Sequence, residues 1–198
     1  MEIELIRHFA TEGNLEKRYI GVTDEEIKAE FVLDHTLKKE ENGREEWKPE
    51  LVIVSPLRRC RQTAEILFPG AEQVVCEQMR ECDFGLFEGK NYQELTGNPK
   101  YQSWIDSGGT KAFPGGEDPM EFRKRCVCGF EQMMEKMIKG KRKKIAFVVH
   151  GGTIMSVMEA FDPEKKEFYH WQVKNGGGYR MLVNEEEWKS GVHRFYEI

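Results

Sequence analysis

Residues 145–152, IAFVVHGG, place five apolar residues directly before a histidine and two glycines. The apolar run has no polar alternation, which is typical of a central strand in a parallel sheet that helices cover on both faces. A helical pattern follows at residues 152–160. The stretch therefore predicts a strand, a histidine at its carboxyl end and then a helix, which is the repeating unit of an α/β fold.

The rest of the chain repeats this alternation of strand and helix. Further strand-like apolar runs occur at residues 3–6, 51–54, 74–76 and 181–183, and further helical patterns at residues 23–41, 57–68 and 117–139. The order predicts an α/β three-layer sandwich, with a mostly parallel central sheet and helices on both of its faces. Residues 23–26, TDEE, predict a capping box that begins the helix at residues 23–41.

Residues 77–116 differ from the rest of the chain, because they are rich in glycines, aromatic and polar residues and contain no clear strand signal. We expect this segment, called the cap below, to form loops and short helices over the carboxyl ends of the strands. The length of 198 residues fits one domain, residues 1–198, with the cap inside it.

The composition argues against several classes of protein. Hydrophobic residues make up 39% and charged residues 33%, as in soluble globular proteins, and the net charge of −5 gives no general attraction to nucleic acid or to membranes. The run at residues 145–149 is far too short to cross a bilayer, and the first residues, MEIE, do not resemble a signal peptide. Five cysteines without a Cys-x-x-Cys pair favour reduced thiols in the cytoplasm over disulfides or a zinc site.

Three of the predicted strands end in polar, reactive residues. Arg7 and His8 follow residues 3–6, Arg59 follows residues 51–54 within SPLRR, and His150 follows residues 145–149. The carboxyl ends of parallel strands meet at one crevice, where ligands bind in open α/β sheets. Arginines and histidines gathered there predict a compact cationic pocket, and its natural ligand is a phosphate group.

A pocket of this kind supports phosphoryl transfer. Fixed positive charges would hold the phosphoryl oxygens, and a neutral imidazole would attack phosphorus to form a covalent intermediate. A carboxylic acid must then protonate the leaving alkoxide. Glu81 and Asp83, just after the strand at residues 74–76, are the candidates, and the local sequence does not separate them.

Five ordered blocks of the chain resemble the histidine phosphatase superfamily, in its phosphoglycerate mutase-like branch. RHFATEGN at residues 7–14 is similar to the family's Arg-His-Gly-x-Thr-x-x-Asn, and SPLRRCRQTA at residues 55–64 to its block with a phosphate-binding arginine. The other three similar blocks are MRECDFGLFEG at residues 79–89, PGGED at 114–118 and VVHGG at 148–152. Together they extend over nearly the whole chain.

This resemblance implies a role for each site residue. His8 would be the nucleophile that becomes phosphorylated, Glu81 the proton donor and His150 a second catalytic histidine. The groups implied to bind the phosphoryl oxygens are Arg7, Asn14, Arg59 and the backbone N–H of Gly151. The resemblance implies no metal ion and no organic cofactor.

The expected function is hydrolysis of a small phosphorylated metabolite through a phosphohistidine. The chain lacks the long insertions typical of the mutases, and residues 14–24 resemble a segment of α-ribazole-phosphatase-like enzymes. Phe9, however, replaces the family's glycine directly after the nucleophile, where a large side chain would narrow the pocket or shift the loop.

Three alternatives stay open at this point. One is a phosphoglycerate-type mutase, and another is a non-catalytic phospholigand-binding module in which Phe9 has spoiled the attack geometry. A metal hydrolase that uses His8, His150 and Glu81 as ligands is disfavoured, because neighbouring arginines would repel a divalent cation. The sequence predicts neither the exact phosphate ester nor the oligomeric state.

The aromatic residues of the cap also allow two interpretations. They would either form the apolar core of the cap or line a substrate cleft, and the sequence pattern does not decide between these. The residues concerned are Phe87, Tyr92, Tyr101, Trp104 and Phe113.

Overall fold

The strands of the protein form one mixed sheet in a computed structural model that describes residues 1–30, 47–193 and 195–197. The strands are β1 (Glu2–Arg7), β2 (Leu51–Val54), β3 (Gln73–Val75), β4 (Lys144–Val149), β5 (Gly178–Leu182) and β6 (Tyr196–Glu197). Their order is β3-β2-β4-β1-β5-β6. The pairs β3–β2, β2–β4 and β4–β1 are parallel, whereas β5 and β6 extend the sheet in antiparallel fashion. The predicted α/β class with a mostly parallel sheet is confirmed, and β6 was not predicted.

The described helices lie between these strands. They are α1 (Glu12–Leu15), α2 (Arg58–Leu67), α3 (Tyr92–Leu95), α4 (Pro99–Asp106), α5 (Pro119–Lys139), α6 (Gly151–Phe161) and α7 (Glu185–Lys189). Short 3-10 helices occur at Glu77–Met79, Gly85–Phe87 and Phe168–Trp171. The helices predicted at residues 57–68, 117–139 and 152–160 are confirmed as α2, α5 and α6. Within the described ranges, no helix combines the length and apolar character that a membrane crossing requires.

The central strand β4 is covered on both faces. Ile145, Phe147 and Val149 belong to the larger apolar core, to which α5 and α6 contribute. Ala146 and Val148 point to the opposite face and belong to a second core with residues of α2. This two-sided burial explains why the run at residues 145–149 shows no polar alternation.

The helix predicted at residues 23–41 is wrong in its first part, because residues 23–28 are not helical. The side chains of the predicted capping box bind other segments instead. Thr23 Oγ1 donates to Glu88 Oε2 (2.8 Å), and Asp24 Oδ1 accepts from the backbone N of Arg58 (2.7 Å) at the start of α2. These tertiary contacts outweigh the local capping preference. The remainder of the predicted helix, residues 31–41, lies outside the described residues.

The cap consists of the first two 3-10 helices, α3, α4 and their connecting loops. It has an apolar cluster of its own, in which Phe87, Leu95 and Phe113 pack with Phe122 and Cys126 of α5. The cap is therefore anchored on α5, the long helix that also covers the sheet.

We expect Phe147→Ala to lower the free energy of unfolding by about 3–5 kcal/mol, because it empties a fully buried site in the central strand. Val75→Ala on β3 is the control, since Val75 is exposed and its truncation should cost less than about 1 kcal/mol. Urea unfolding of the two variants measures both values. Equal costs would contradict the two-layer core around β4.

Candidate active site

The parallel pairing of β1 with β4 brings the two predicted catalytic histidines together. The register pairs Arg7 with Val149, and the backbone N of His8 donates to the carbonyl of Val149 (3.0 Å). The rings of His8 and His150 therefore lie edge to face, with their centroids 5.2 Å apart, and both residues are buried. The structure thus places both histidines at the carboxyl ends of adjacent strands.

The ring of His8 is held in one tautomer. Its Nδ1 lies 2.6 Å from the carbonyl oxygen of Phe9, and a carbonyl can only accept, so Nδ1 carries the proton and Nε2 keeps its lone pair. Burial, and then the charge of Arg59, holds the pKa of His8 well below its usual 6.5. The Phe9 N–H donates to Thr63 Oγ1 (2.9 Å), and Asn175 Nδ2 donates to the His8 carbonyl (3.0 Å). The backbone around this neutral imidazole is therefore fixed on both sides.

The side chain of Phe9 is buried and does not line the ligand cavity described below. Its ring carbons lie 3.0 Å from the position that a Cβ would take on Gly176. Gly176 also has a φ of +76°, which favours glycine, and its backbone N donates to the carbonyl of Arg7 (3.0 Å). Phe9 consequently packs on a glycine and does not narrow the cavity.

His150 lies at the N-cap of α6 and is held from β2. Its Nε2 is 2.6 Å from Ser55 Oγ and 3.4 Å from Cys60 Sγ. Burial, followed by the charges of Arg59 and His8, holds the pKa of His150 well below 6.5. A protonated His150 therefore requires the negative charge of a bound anion to favour the imidazolium form.

Both predicted arginines have a buried donor without a partner. Arg59 is fully buried and donates to the carbonyls of Thr23 (2.7 Å) and Gly21 (2.8 Å), and Arg7 donates to the carbonyl of Val173 (2.8 Å). The Nε atoms of both guanidinium groups have no acceptor within the described part of the chain. An unsatisfied buried donor costs about 1–3 kcal/mol, so both Nε–H groups favour an anionic ligand.

Glu88 is a residue that sequence reasoning missed. Its Oε1 accepts from the backbone N of Gly21 and Val22 (2.9 Å each), and its Oε2 accepts from Thr23. Because carbonyls of the same loop hold Arg59, Glu88 fixes the loop that orients this arginine. The sequence contained Glu88 in the block at residues 79–89 but gave no sign of a contact with a loop more than 60 residues away.

Glu81 packs against the start of α6, near Arg59 and Arg7. Its Oε1 accepts from the backbone N of Cys82 (3.0 Å), and its Oε2 from that of Gly152 (3.4 Å). A Cβ on Gly152 would lie 2.5 Å from Glu81 Oε1, so only glycine permits this approach. Burial raises the pKa of Glu81 above its usual 4.5, which favours a protonated carboxyl group. Asp83 instead accepts from the backbone N of Gly85 (2.8 Å) and does not line the cavity, so the geometry favours Glu81 as the acid.

The two remaining predicted groups lie at helix starts. Asn14 forms a capping box with Thr11, and its Oδ1 also accepts from Asn175 Nδ2 (3.3 Å), so its own Nδ2 is left to donate. Gly151 is the first residue of α6, where backbone N–H groups have no partner inside the helix. A Cβ on Gly151 would lie 3.4 Å from Cζ of Arg7, so this helix start is beside the arginine.

A cavity of about 490 Å³ is lined by Arg7, Glu81 and Gly151 of the predicted site, whereas His8, Asn14, Arg59 and His150 lie outside its lining. One end, called the phosphate end below, contains Arg7, Glu81, Gly151 and Gly152. The aromatic residues of its wall are Tyr19, Phe84, Trp104, Phe113, Phe122, Phe168 and Tyr169. Of the cap aromatics left open by the sequence, Trp104 and Phe113 thus line the cavity, Phe87 and Tyr101 pack in the cap cluster, and Tyr92 is exposed.

The assembled groups suit transfer of a phosphoryl group. His8 Nε2 keeps a free lone pair, the two arginine Nε–H groups are available donors, and Glu81 is a buried carboxyl group with a raised pKa. Within the described ranges, no cluster of three or more His, Cys, Asp or Glu side chains is arranged to hold a metal ion.

Comparison with known proteins points to one family. The sequence pattern of the histidine phosphatase superfamily (branch 1) matches residues 3–194, which confirms the resemblance seen in the five blocks. The Bacillus subtilis protein named Uncharacterized phosphatase PhoE is 24% identical over 189 residues, with 93% of this chain and 90% of that protein covered. Phosphoglycerate mutase-like protein 4 of Arabidopsis thaliana is 29% identical over 172 residues, with 84% and 73% covered.

Solved structures show the same fold. The α-ribazole phosphatase from Shigella flexneri superposes with a TM-score of 0.77 at 19% identity, and the match covers 93% of this chain and 91% of that one. The names of these similar proteins include both phosphatases and a mutase-like protein, so they do not choose between the two activities.

We expect Glu88→Ala to raise the Kd for inorganic phosphate about tenfold. The reason is that three residues of the loop that orients Arg59 lose the carboxylate that accepts their hydrogen bonds. Glu88→Gln keeps one acceptor oxygen and should restore most of the affinity. Glu94→Ala is the matched control, since this cap carboxylate accepts from Asn91 and Arg18 but not from residues 21–23. Calorimetry measures the three values, and equal losses in Glu88→Ala and Glu94→Ala would contradict the positioning role.

Proposed function

Because the chain belongs to branch 1 of the histidine phosphatase superfamily, we propose that it is a phosphomonoesterase that acts through a phosphohistidine on His8. The observation that carries the proposal is the 2.6 Å hydrogen bond from His8 Nδ1 to the Phe9 carbonyl. This bond leaves Nε2 as the nucleophile. The Nε–H groups of Arg7 and Arg59 have no acceptor within the described part of the chain and are available to bind an anion. The cavity volume of about 490 Å³ suits a small phosphorylated metabolite.

In the first step, the lone pair of His8 Nε2 attacks phosphorus. The ester P–O bond breaks with its electron pair on the leaving oxygen, which takes the proton of Glu81. Arg7, Arg59 and the backbone N–H of Gly151 hold the phosphoryl oxygens while charge builds up on them. The products are phosphohistidine, the free alcohol and an ionised Glu81.

In the second step, a water molecule attacks the phosphorus of phosphohistidine. Glu81, now a carboxylate, accepts the water proton, and the P–N bond breaks with its electron pair on His8 Nε2. Inorganic phosphate is released, and both His8 and Glu81 return to their starting protonation states. Burial favours each of these states, since it lowers the pKa of His8 and raises that of Glu81.

Hydrolysis is favoured over the two alternatives by separate observations. A phosphoglycerate-type mutase must retain a sugar acid, whose carboxylate needs a cation, but Arg123 in the cavity wall is already paired with Glu159 (3.1 Å). A non-catalytic binding module was suggested by Phe9, but the Phe9 ring packs on Gly176 and its carbonyl holds His8 Nδ1, so His8 keeps a free Nε2. These observations leave phosphate ester hydrolysis as the activity that the site supports best.

Rapid quenching after incubation with a ³²P-labelled phosphomonoester should trap acid-labile phosphate on the native protein and none on His8→Ala. The reason is that the Phe9 carbonyl holds the Nδ1–H of His8, which leaves the Nε2 lone pair free to attack phosphorus. His170→Ala is the control, because His170 packs against Trp171 and does not line the cavity. Inorganic phosphate should be released without an isomerised ester. Equal labelling of His8→Ala and the native protein would refute the proposed nucleophile.

We expect Glu81→Gln to lower kcat/KM for alkyl phosphates about 10²–10⁴-fold, because the leaving alkoxide loses its proton donor. In the native protein, kcat/KM should fall as pH rises through the pKa of Glu81, which burial raises above 4.5, because the acid must be protonated. It should also fall as pH drops through the pKa of His8, below 6.5, because the nucleophile must be neutral.

The pH profile separates the two candidate acids. Glu81→Gln should lose the alkaline fall in kcat/KM. With p-nitrophenyl phosphate, whose leaving group needs little protonation, Glu81→Gln should lower the rate much less than with alkyl phosphates. Asp83→Asn is the control and should keep the alkaline fall. Loss of this fall in Asp83→Asn but not in Glu81→Gln would reverse the assignment.

A further inference from the structure

The wall of the cavity changes character away from the phosphate end. Tyr19, Phe84, Trp104 and Phe113 form one side of it, on the cap and the loop after α1, and Tyr169 lies at the rim. From this we propose that the substrate is the phosphate ester of an uncharged aromatic or similarly flat apolar group, which packs against the cap. The inference rests on the proposed function, because it concerns the leaving group of that same reaction.

The cap aromatics form a mutually packed set. The rings of Trp104 and Phe113 have centroids 5.0 Å apart and are tilted by 30°, and Phe84 meets Phe113 edge to face at 5.0 Å. Tyr19 meets Trp104 edge to face at 6.3 Å. Rings held in this way need little reordering when a flat ligand packs on them, so the cavity is preorganised for an apolar group.

Trp104 also offers a polar contact. Its indole Nε1 is buried and has no acceptor within the described part of the chain. A substrate with a ring nitrogen or oxygen near Trp104 would satisfy this donor. The free N–H therefore suits a heteroaromatic group as well as a hydrocarbon ring.

The charges of the cavity argue against a leaving group that carries a carboxylate. Apart from Arg7 and Glu81 at the phosphate end, Arg123 is the charged member of the described lining. Its NH1 donates to Glu159 (3.1 Å), and its guanidinium lies 3.8 Å from the ring centroid of Phe168. The charge of Arg123 is thus balanced inside the protein, and an acidic leaving group would meet an apolar wall without a free cation.

The cavity volume and the residues at the cavity rim are consistent with a leaving group of more than three carbons. About 490 Å³ lies within the range of roughly 300–1,000 Å³ that holds drug-sized ligands. At the rim, a Cβ on Gly109 would lie 3.2 Å from Trp104 and 3.5 Å from the hydroxyl of Tyr169, so these two side chains approach each other there. Tyr169 is 57% exposed, and an apolar substrate would cover part of its side chain.

The test compares three esters whose leaving oxygens are all aliphatic: 2-phenylethyl phosphate, ethyl phosphate and 2-phosphoglycolate. We expect kcat/KM for 2-phenylethyl phosphate to exceed that for ethyl phosphate at least tenfold, and 2-phosphoglycolate to be no better than ethyl phosphate. Equal values for the first two esters, or a preference for 2-phosphoglycolate, would overturn the proposal.

Two aromatic variants locate the effect. Tyr169→Ala should lower the ratio of kcat/KM for 2-phenylethyl phosphate to that for ethyl phosphate severalfold, and Trp104→Ala should lower this ratio further. Tyr92→Ala is the matched control, because this cap tyrosine is exposed to a similar extent (54%) but does not line the cavity. If Tyr92→Ala reduces the preference as much as Tyr169→Ala does, the proposed binding surface is wrong.

Glu159→Gln tests the role of charge. The substitution removes the ion pair of Arg123, so kcat/KM for 2-phosphoglycolate should rise severalfold relative to ethyl phosphate. An unchanged ratio would contradict the argument that a balanced Arg123 excludes acidic leaving groups.

Binding separates failure of this inference from failure of the proposed function. If no ester is hydrolysed, the proposed phosphatase activity is wrong, but the cavity is still tested by equilibrium binding of stable phosphonates to the native protein. Tighter binding of 2-phenylethylphosphonate than of ethylphosphonate and phosphonoacetate would support the apolar class. Equal binding, or tighter binding of phosphonoacetate, would overturn it.

Discussion

The hydrogen bond from His8 Nδ1 to the carbonyl of Phe9 is the interaction on which the account of this site depends. A carbonyl cannot donate, so this bond assigns the proton to Nδ1 and leaves the lone pair on Nε2. Its geometry is set by the surrounding backbone, because Thr63 holds the Phe9 N–H and Asn175 holds the His8 carbonyl. The fold contributes by placing His8 at the end of β1 and packing the Phe9 ring on Gly176.

The juxtaposition of several site residues could be predicted from the sequence, because these residues closely follow apolar strands. His150 after residues 145–149 and Arg59 after residues 51–54 are examples, since parallel strands bring their carboxyl ends together. Thr23 makes a contact that this reasoning does not predict. Its capping pattern predicts a helix, but its hydroxyl binds Glu88, more than 60 residues away. The role of Glu88 beside Arg59 was missed for the same reason, because local sequence does not record such contacts.

The cap shows a second limit of sequence reasoning. Aromatic residues in a core and aromatic residues that line a cleft have the same pattern, and only the packing distinguishes Phe87, which is fully buried, from Trp104, which faces the cavity. The structure also explains how one cavity combines two environments. In the proposed function, strand ends and the start of α6 supply charge and donors for a phosphate, whereas the cap supplies an apolar wall, so we propose that different parts of the chain carry binding and chemistry.

Nitrogen NMR of the protein with ¹⁵N-labelled histidine tests the central claim most directly, because it reports the protonation of each ring nitrogen. The account predicts that His8, assigned with a His8→Ala variant, is neutral at pH 7 with a protonated Nδ1 and a bare Nε2, and that this form persists below pH 6.5. A His8 ring that carries its proton on Nε2, or that is doubly protonated at pH 7, would contradict the assignment of Nε2 as the nucleophile.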